Sequence, residues 1–209
     1  MPNKRAIVIY DTKYGSTEQV AHWIAEGLND ADLKYVGDVT SVYYDLVVIG
    51  SPIYGDALSQ KILQFLDKNK ENLANKKIAL FTVSMPLNMT PDRAKRFTGA
   101  STLKGLSGRV RGEVIDSRAF LGRIETKDMT ALDRLSLHIQ YLLKGYKLKD
   151  VDFMNRDDAS AWGRKLINIL NESGTSIGEE RRGRRAGSSA PPHSTEVKGN
   201  GDRQEDKKK

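Results

Sequence analysis

Apolar runs and helical patterns alternate along most of the chain. Residues 5–10 (RAIVIY) form a short, nearly continuous apolar run, as expected of a strand buried on both faces. From 16 to 28 the period changes. Val20, Ile24 and Leu28 make one stripe with Ala21 and Ala25 alongside, which predicts a helix closed by residues 29–33. Residues 35–39 predict a weak second strand, and 45–50 (DLVVIG) a clear internal one stopped by Gly50, Ser51 and Pro52. A helix follows over 59–69, with Ile62, Leu63, Phe65 and Leu66 on its apolar face, then a buried strand over 77–84 (KIALFTVS). Thr90 before Pro91 marks a helix start. Residues 112–120 predict a fifth strand. Asp128 is placed to cap a helix over 129–143, and Asp157 or Asp158 to open a last one ending at Leu170. Trp23 and Trp162 fall where they pack helices against the sheet.

This alternation with short connections specifies an α/β fold, a parallel sheet with helices on both faces. Five strands suit an open doubly wound sheet in the order 2-1-3-4-5. Such sheets bind ligands beyond the carboxyl ends of the strands, at the switch between strands one and three. The loops after Tyr10, Gly50 and Ser84 are therefore the places for chemistry.

From residue 174 the pattern stops. Residues 174–209 hold only Ile177 and Val197 as large apolar side chains, too few to offset the entropy of ordering, which predicts a disordered tail behind a folded domain of residues 1–173. The formal net charge of the chain is +7. The tail holds nine Lys/Arg against six Asp/Glu, leaving 25 against 21 in the domain, so both parts are basic. Cysteine is absent, which excludes disulfides, thiolate catalysis and cysteine-ligated metal centres. Three scattered histidines give no metal-ligand spacing. No apolar run approaches the roughly 18 residues of a membrane span. The first apolar stretch ends at Asp11, so a secretory signal is not expected and the expected location is cytoplasmic.

The first loop, 11–17 (DTKYGST), sets three hydroxyl residues and a glycine at a helix N-terminus, where backbone N–H groups and the helix dipole favour a phosphate. An ordinary helix cap by Ser16 or Thr17 explains the same residues equally well. Neither the G-x-x-x-x-G-K-[ST] loop nor G-x-G-x-x-G is present, so neither an NTPase nor a nicotinamide site is supported. In the second loop, 50–56 (GSPIYGD), glycines bracket Tyr54, an amphipathic ring suited to stacking on a planar ligand or simply to lying on the surface. The third loop, 83–90, offers a further pocket wall or a hydrophobic loop packed on the domain.

Two of these loops carry a resemblance. The opening IVIYDTKYGSTEQVAHWIAEGL is similar to that of flavodoxins, whose phosphate loop reads [ST]-x-[TYD]-G-[NSQ]-T, matched here by residues 12–17. GSPIYGDALS resembles the flavodoxin loop bearing the aromatic beside the flavin and puts Tyr54 at that position. The likeness covers about residues 4–171 and is strongest to the subgroup containing the menaquinone-dependent protoporphyrinogen dehydrogenase, through FLGRIETKDMTALDRLSLHIQYLL and DASAWGRKLINIL. It implies a flavodoxin-like doubly wound five-stranded parallel sheet and FMN as cofactor. The phosphate would lie on Thr12, Lys13, Tyr14, Gly15, Ser16 and Thr17. The isoalloxazine would lie on Ser51, Pro52, Ile53, Tyr54 and Gly55, with Ser84, Met85 and Pro86 from the third loop. It also implies that Gly55 lets its peptide rotate when the flavin takes up a proton, a freedom glycine has above other residues. Many flavodoxins carry a second aromatic in the third loop, where Met85, Leu87 and Met89 stand here, and typical flavodoxins are acidic.

The implied function is FMN-dependent electron transfer between redox partners, with no catalytic side chain because the ring carries the electrons. The alternative is oxidation of protoporphyrinogen IX with electrons passed to a quinone. Arg123, Lys127 and Lys144 near the ends of 128–143 suit an anionic porphyrin, or peripheral association with the inner face of a membrane, although such charges also suit a solvated helix. A phosphoacceptor receiver domain is excluded, since the third strand ends in Gly50 and Ser51 rather than an aspartate. The RRGRR run at 181–185 is too short a signal for specific nucleic-acid binding.

Overall fold

The computed structural model describes residues 6–186 apart from 30, 56 and 88, with side chains described as far as residue 172. The chain divides into two units, Met1–Glu172 and Ser173–Lys209.

In chain order the first unit contains β1 (Ala6–Tyr10), α1 (Ser16–Leu28), β2 (Ala31–Tyr35), β3 (Leu46–Tyr54), β4 (Ala57–Leu58), α2 (Gln60–Lys68), α3 (Lys70–Leu73) and β5 (Lys77–Ser84). It continues with α4 (Pro91–Ala94), α5 (Ala100–Ser107), β6 (Glu113–Leu121), β7 (Arg123–Ile124), α6 (Ala131–Leu143), β8 (Val151–Asp152) and the start of α7 (Arg156–Ala186). The sheet order is β2-β1-β3-β5-β6, all parallel, with β4 turned back antiparallel on the end of β3. Without that short hairpin strand this is the doubly wound five-stranded order expected from the sequence.

The near-continuous apolar runs have a simple cause. Alternate residues of each central strand enter different cores. Val8, Val48 and Phe81 pack with Val20 and Ile24 of α1 and with Trp162 and Leu166 of α7. Ile7, Ile9, Val47, Ile49 and Leu80 pack on the other face with Ile62 and Leu66 of α2 and Leu106 of α5. The Trp162 ring meets Phe120 at 5.8 Å and Phe81 at 6.3 Å, edge to face, and its Nε1 donates to Asp116 at 3.0 Å. Trp23 is half-buried against the same core. α1 and α7 touch backbone to backbone, because a Cβ on Gly27 would lie 2.2 Å from the Ser160 carbonyl oxygen.

Several boundaries differ from the sequence expectation. The second strand is Ala31–Tyr35, and Val36–Asp38 is a turn of 3-10 helix. Ala31 and Leu33 reach one core, Tyr35 touches both and Val36 enters the other, so a chain crossing between faces reads as one apolar stretch. β3 runs four residues past Gly50. β1 ends opposite Gly50, which leaves β3 a free edge where Pro52 is tolerated while it still pairs with Val83. α6 is capped by Thr130 rather than Asp128, because Thr126–Asp128 is itself a 3-10 turn. Thr90 caps its helix as expected, but that helix is only Pro91–Ala94, and α5 follows where the sequence pattern predicts no separate helix. The backbone of α7 continues to Ala186, so residues 174–186 extend a helix. Glu and Arg favour helix, and extending an existing helix needs no new nucleus. The rest of the expected tail, 187–209, lies outside the described residues.

Candidate functional site

At the carboxyl ends of β1, β3 and β5 a cavity of about 300 Å³ opens, lined from all three predicted loops. The first loop is held by its own side chains. Thr12 Oγ1 accepts from Gly15 N at 2.9 Å, and Gly15 takes φ +80° as the residue before α1. A left-handed backbone there favours glycine, and a Cβ on it would meet nothing within 4 Å. No side chain caps α1, so neither Ser16 nor Thr17 plays the ordinary capping role. The first-turn N–H groups thus lack the side-chain acceptor that most helices supply, and with the positive end of the helix dipole they favour an anion. Thr17 is buried, and Ser16 Oγ accepts from Arg123 N at 3.4 Å, which ties this loop to β7.

Asp11, nearly buried after β1, joins the first two loops. Its Oδ2 accepts from Ser59 Oγ at 2.6 Å, and Ser59 caps α2. Lys61 Nζ lies 3.7 Å from Asp11 Oδ1. Ser51 is fully buried, and its hydroxyl accepts from Ser59 N at 3.0 Å and donates to the Pro52 carbonyl. It therefore shapes the second loop from within. Tyr54 ends β3, half-exposed, and its hydroxyl accepts from Lys13 N at 3.2 Å. Burial pushes the Tyr54 phenol above its ordinary value, so it stays neutral at physiological pH. Tyr14 and Tyr54 meet edge to face at 6.3 Å, and Gly55 turns the chain at φ +55° into β4.

Of the fourteen residues expected at the site, Lys13, Tyr14, Ser16, Thr17, Pro52, Ile53, Tyr54, Gly55, Ser84 and Met85 line this one cavity. Thr12, Gly15 and Ser51 stand behind it as described. Pro86 lines a neighbouring hollow with Met89 and Tyr146. The third loop thus reaches the cavity only through its first residues. The remaining wall comes from a segment the sequence reading did not assign to the site: Gly122, Arg123 and Ile124, then Met129, and Asp133, Ser136, Leu137 and Gln140 of α6. The signal was available. Asp133, Ser136, Leu137 and Gln140 follow helical i, i+3, i+4, i+7 spacing and mark one helix face.

Asp133 is the electrostatic centre of that wall. Its carboxylate lies 2.7 Å from Lys13 Nζ and accepts hydrogen bonds from the Tyr14 hydroxyl and, at 2.7 Å, from Thr130 Oγ1. Foremost the Lys13 bond, then those from Tyr14 and Thr130, hold Asp133 well below the usual carboxylate range. The same contact raises Lys13 above its ordinary value. Among the described residues no cluster of acidic or histidine side chains has metal-ligand geometry. The cavity combines an anion-binding helix start, two tyrosines and an apolar floor of Ile53, Val83, Ile124 and Leu137. That donor set fits a long ligand with a phosphate at one end and a flat ring at the other.

No curated protein matches the chain. Among solved structures it resembles the WrbA-like flavodoxin of Agrobacterium tumefaciens, at 19% identity over 81% of this chain and 99% of that one, with a TM-score of 0.51. It also matches a flavodoxin from the domain Archaea (15%, 79% and 98%, TM-score 0.49) and flavodoxin 2 of Bacillus cereus (20%, 68% and 99%, TM-score 0.42). At such identities the first of these shows a shared fold. A family model described as a flavodoxin domain matches residues 7–149, from inside β1 to beyond α6. That span takes in every loop lining the cavity and the helix that walls it, and the chain belongs to the flavodoxin-domain family.

Proposed function

We propose that this protein binds FMN in the cavity and transfers electrons between redox partners. The carrying observation is that the uncapped start of α1 opens into the same cavity as Tyr54 and Met85. FMN supplies the electron chemistry when bound, and the protein sets its access and its surroundings. Ser16, Thr17 and the α1 amides hold the phosphate, and Gly15 provides the left-handed turn that aims them. Tyr54 covers one face of the ring. The third loop brings Met85 rather than an aromatic to the cavity, and Leu137 of α6 with Met129 and Ile124 before it lines the wall and limits water there. The chain works in the cytoplasm, a reading that rests on its cysteine-free composition.

The test is the absorption spectrum of the purified protein, followed by mass identification of the compound released on denaturation. A yellow protein releasing FMN is the expected result. Colourless protein that takes up no added FMN removes the proposal.

A second reading is favoured by Arg123, a cation on the cavity wall. It suits a substrate bearing carboxylates, and oxidation of protoporphyrinogen with a quinone as acceptor has that chemistry. The FMN-loaded protein should then oxidise porphyrinogen only when a quinone is present. Absence of turnover leaves the electron carrier.

A further inference from the structure

Six of the nine exposed large apolar side chains among the described residues belong to one short stretch: Leu132, Leu135, Ile139, Leu142 and Leu143 of α6, and Tyr146 just after it. Leu132 and Leu143 are more than 80% exposed. At 100° per residue the five α6 positions fall within an arc of about 100°, on the side of the helix opposite Asp133, Leu137 and Tyr141. α6 is therefore amphipathic in the unusual sense. Its mixed face lines the cavity and its most apolar face points to solvent, a distribution that marks an interaction surface.

We propose that this face docks α6 flat on a lipid bilayer carrying anionic headgroups. Charge selects the occupant. Over residues 131–149 the cations Arg134, Lys144, Lys147 and Lys149 stand against one acid, Asp133, and that acid is bound to Lys13. The next acid, Asp150, accepts from Thr126 N. An apolar helix face beside free lysines, with a tyrosine at its end, suits the headgroup boundary of an anionic membrane. A second copy of the chain suits it less well. Self-association would bring the four cations toward their own copies. Docked in this way, the cavity lies one helix width, about 10 Å, from the lipid. The inference does not depend on which compound fills that cavity.

The experiment is sedimentation of the full-length protein with vesicles of phosphatidylcholine alone or mixed with phosphatidylglycerol. Binding to the mixed vesicles is expected, weakened by salt. The double variant Leu135→Glu, Ile139→Glu should lose it by about tenfold or more, since two apolar side chains no longer enter lipid. Lys144→Glu with Lys147→Glu should lower it while keeping the apolar face. All four positions are exposed and outside the cavity, so uptake of FMN, read by its spectrum, should be unchanged and reports separately on the cofactor proposal. Three results overturn the inference. One is no binding to either vesicle, and another is undiminished binding of the Leu135→Glu, Ile139→Glu protein, which would trace attachment to the basic run at 181–185. The third is a dimer in solution that those substitutions dissolve, without lipid binding.

Discussion

The cavity has two walls of different physical origin. One is the set of strand ends and loops of β1, β3 and β5, whose strands are buried over nearly their whole length. The other is the 122–140 segment, where α6 buries only Tyr141 completely. The first wall follows from the core, so its geometry cannot change without the fold changing. The second is joined to the first at its start by Gly122 N donating to the Ser84 carbonyl at 2.9 Å, and beyond that through Arg123 N to Ser16 Oγ and through Asp133 to Lys13 and Tyr14. In the proposed binding mode, grip on the phosphate is then a property of the core, and the cover over the ring a property of a polar latch.

The largest contrast should appear in stability. Trp162→Ala removes a buried ring that packs against Phe81 and Phe120 and leaves Asp116 without its indole donor. A loss of about 3–5 kcal/mol in urea unfolding is expected. Leu135→Ala on the outer face of α6 should stay within about 0.5 kcal/mol, as an exposed position does. Comparable losses for the two would show that α6 belongs to the core and would end the distinction.

An intermediate effect should separate backbone from side chain at the phosphate loop. Gly15 has room for a Cβ but a left-handed backbone. A β-branched side chain in that conformation costs about 1–2 kcal/mol, so Gly15→Val should weaken FMN binding by roughly tenfold in a fluorescence titration. Gly15→Asn, which tolerates the left-handed region, should recover most of the loss. If both variants bind equally poorly, the neighbourhood of the side chain rather than the backbone turn is what matters.

The same division explains what could be read from the chain. The first wall was legible because buried parallel strands leave unbroken apolar runs, and 77–84 matches β5 residue for residue. Helix α1 was equally plain from Val20, Ile24 and Leu28. Loops that must follow such strands inherit their position, and ten of the fourteen expected residues line one cavity. The edge strand β2 was misplaced because its residues are only half-buried and its apolar neighbours Val36 and Val39 pack on the other face. α6 was seen as a helix, but its role was hidden by its own hydrophobicity. An apolar stripe ordinarily identifies the buried face, and here Leu132, Leu135 and Ile139 identify the exposed one. Only the weaker polar spacing of Asp133, Ser136 and Gln140 points to the cavity.

The smallest expected effect tests the latch itself. Asp133→Asn releases Lys13 and removes a negative charge from beside the phosphate loop. FMN should then bind about two- to fivefold tighter, the scale of an exposed ion pair, while riboflavin, which has no phosphate, should bind as before. The folded value of Asp133 lies below the unfolded one, so its stabilising contribution is complete above about pH 4 and is lost only as pH falls through the folded value. The difference in unfolding stability between parent and variant should accordingly be constant from about pH 8 to about pH 5 and vanish only in stronger acid. An equal change for FMN and riboflavin would mean that Asp133 acts on the position of α6 and the ring pocket rather than through Lys13 on the phosphate. The two walls would then be mechanically coupled, and the latch would be part of the grip.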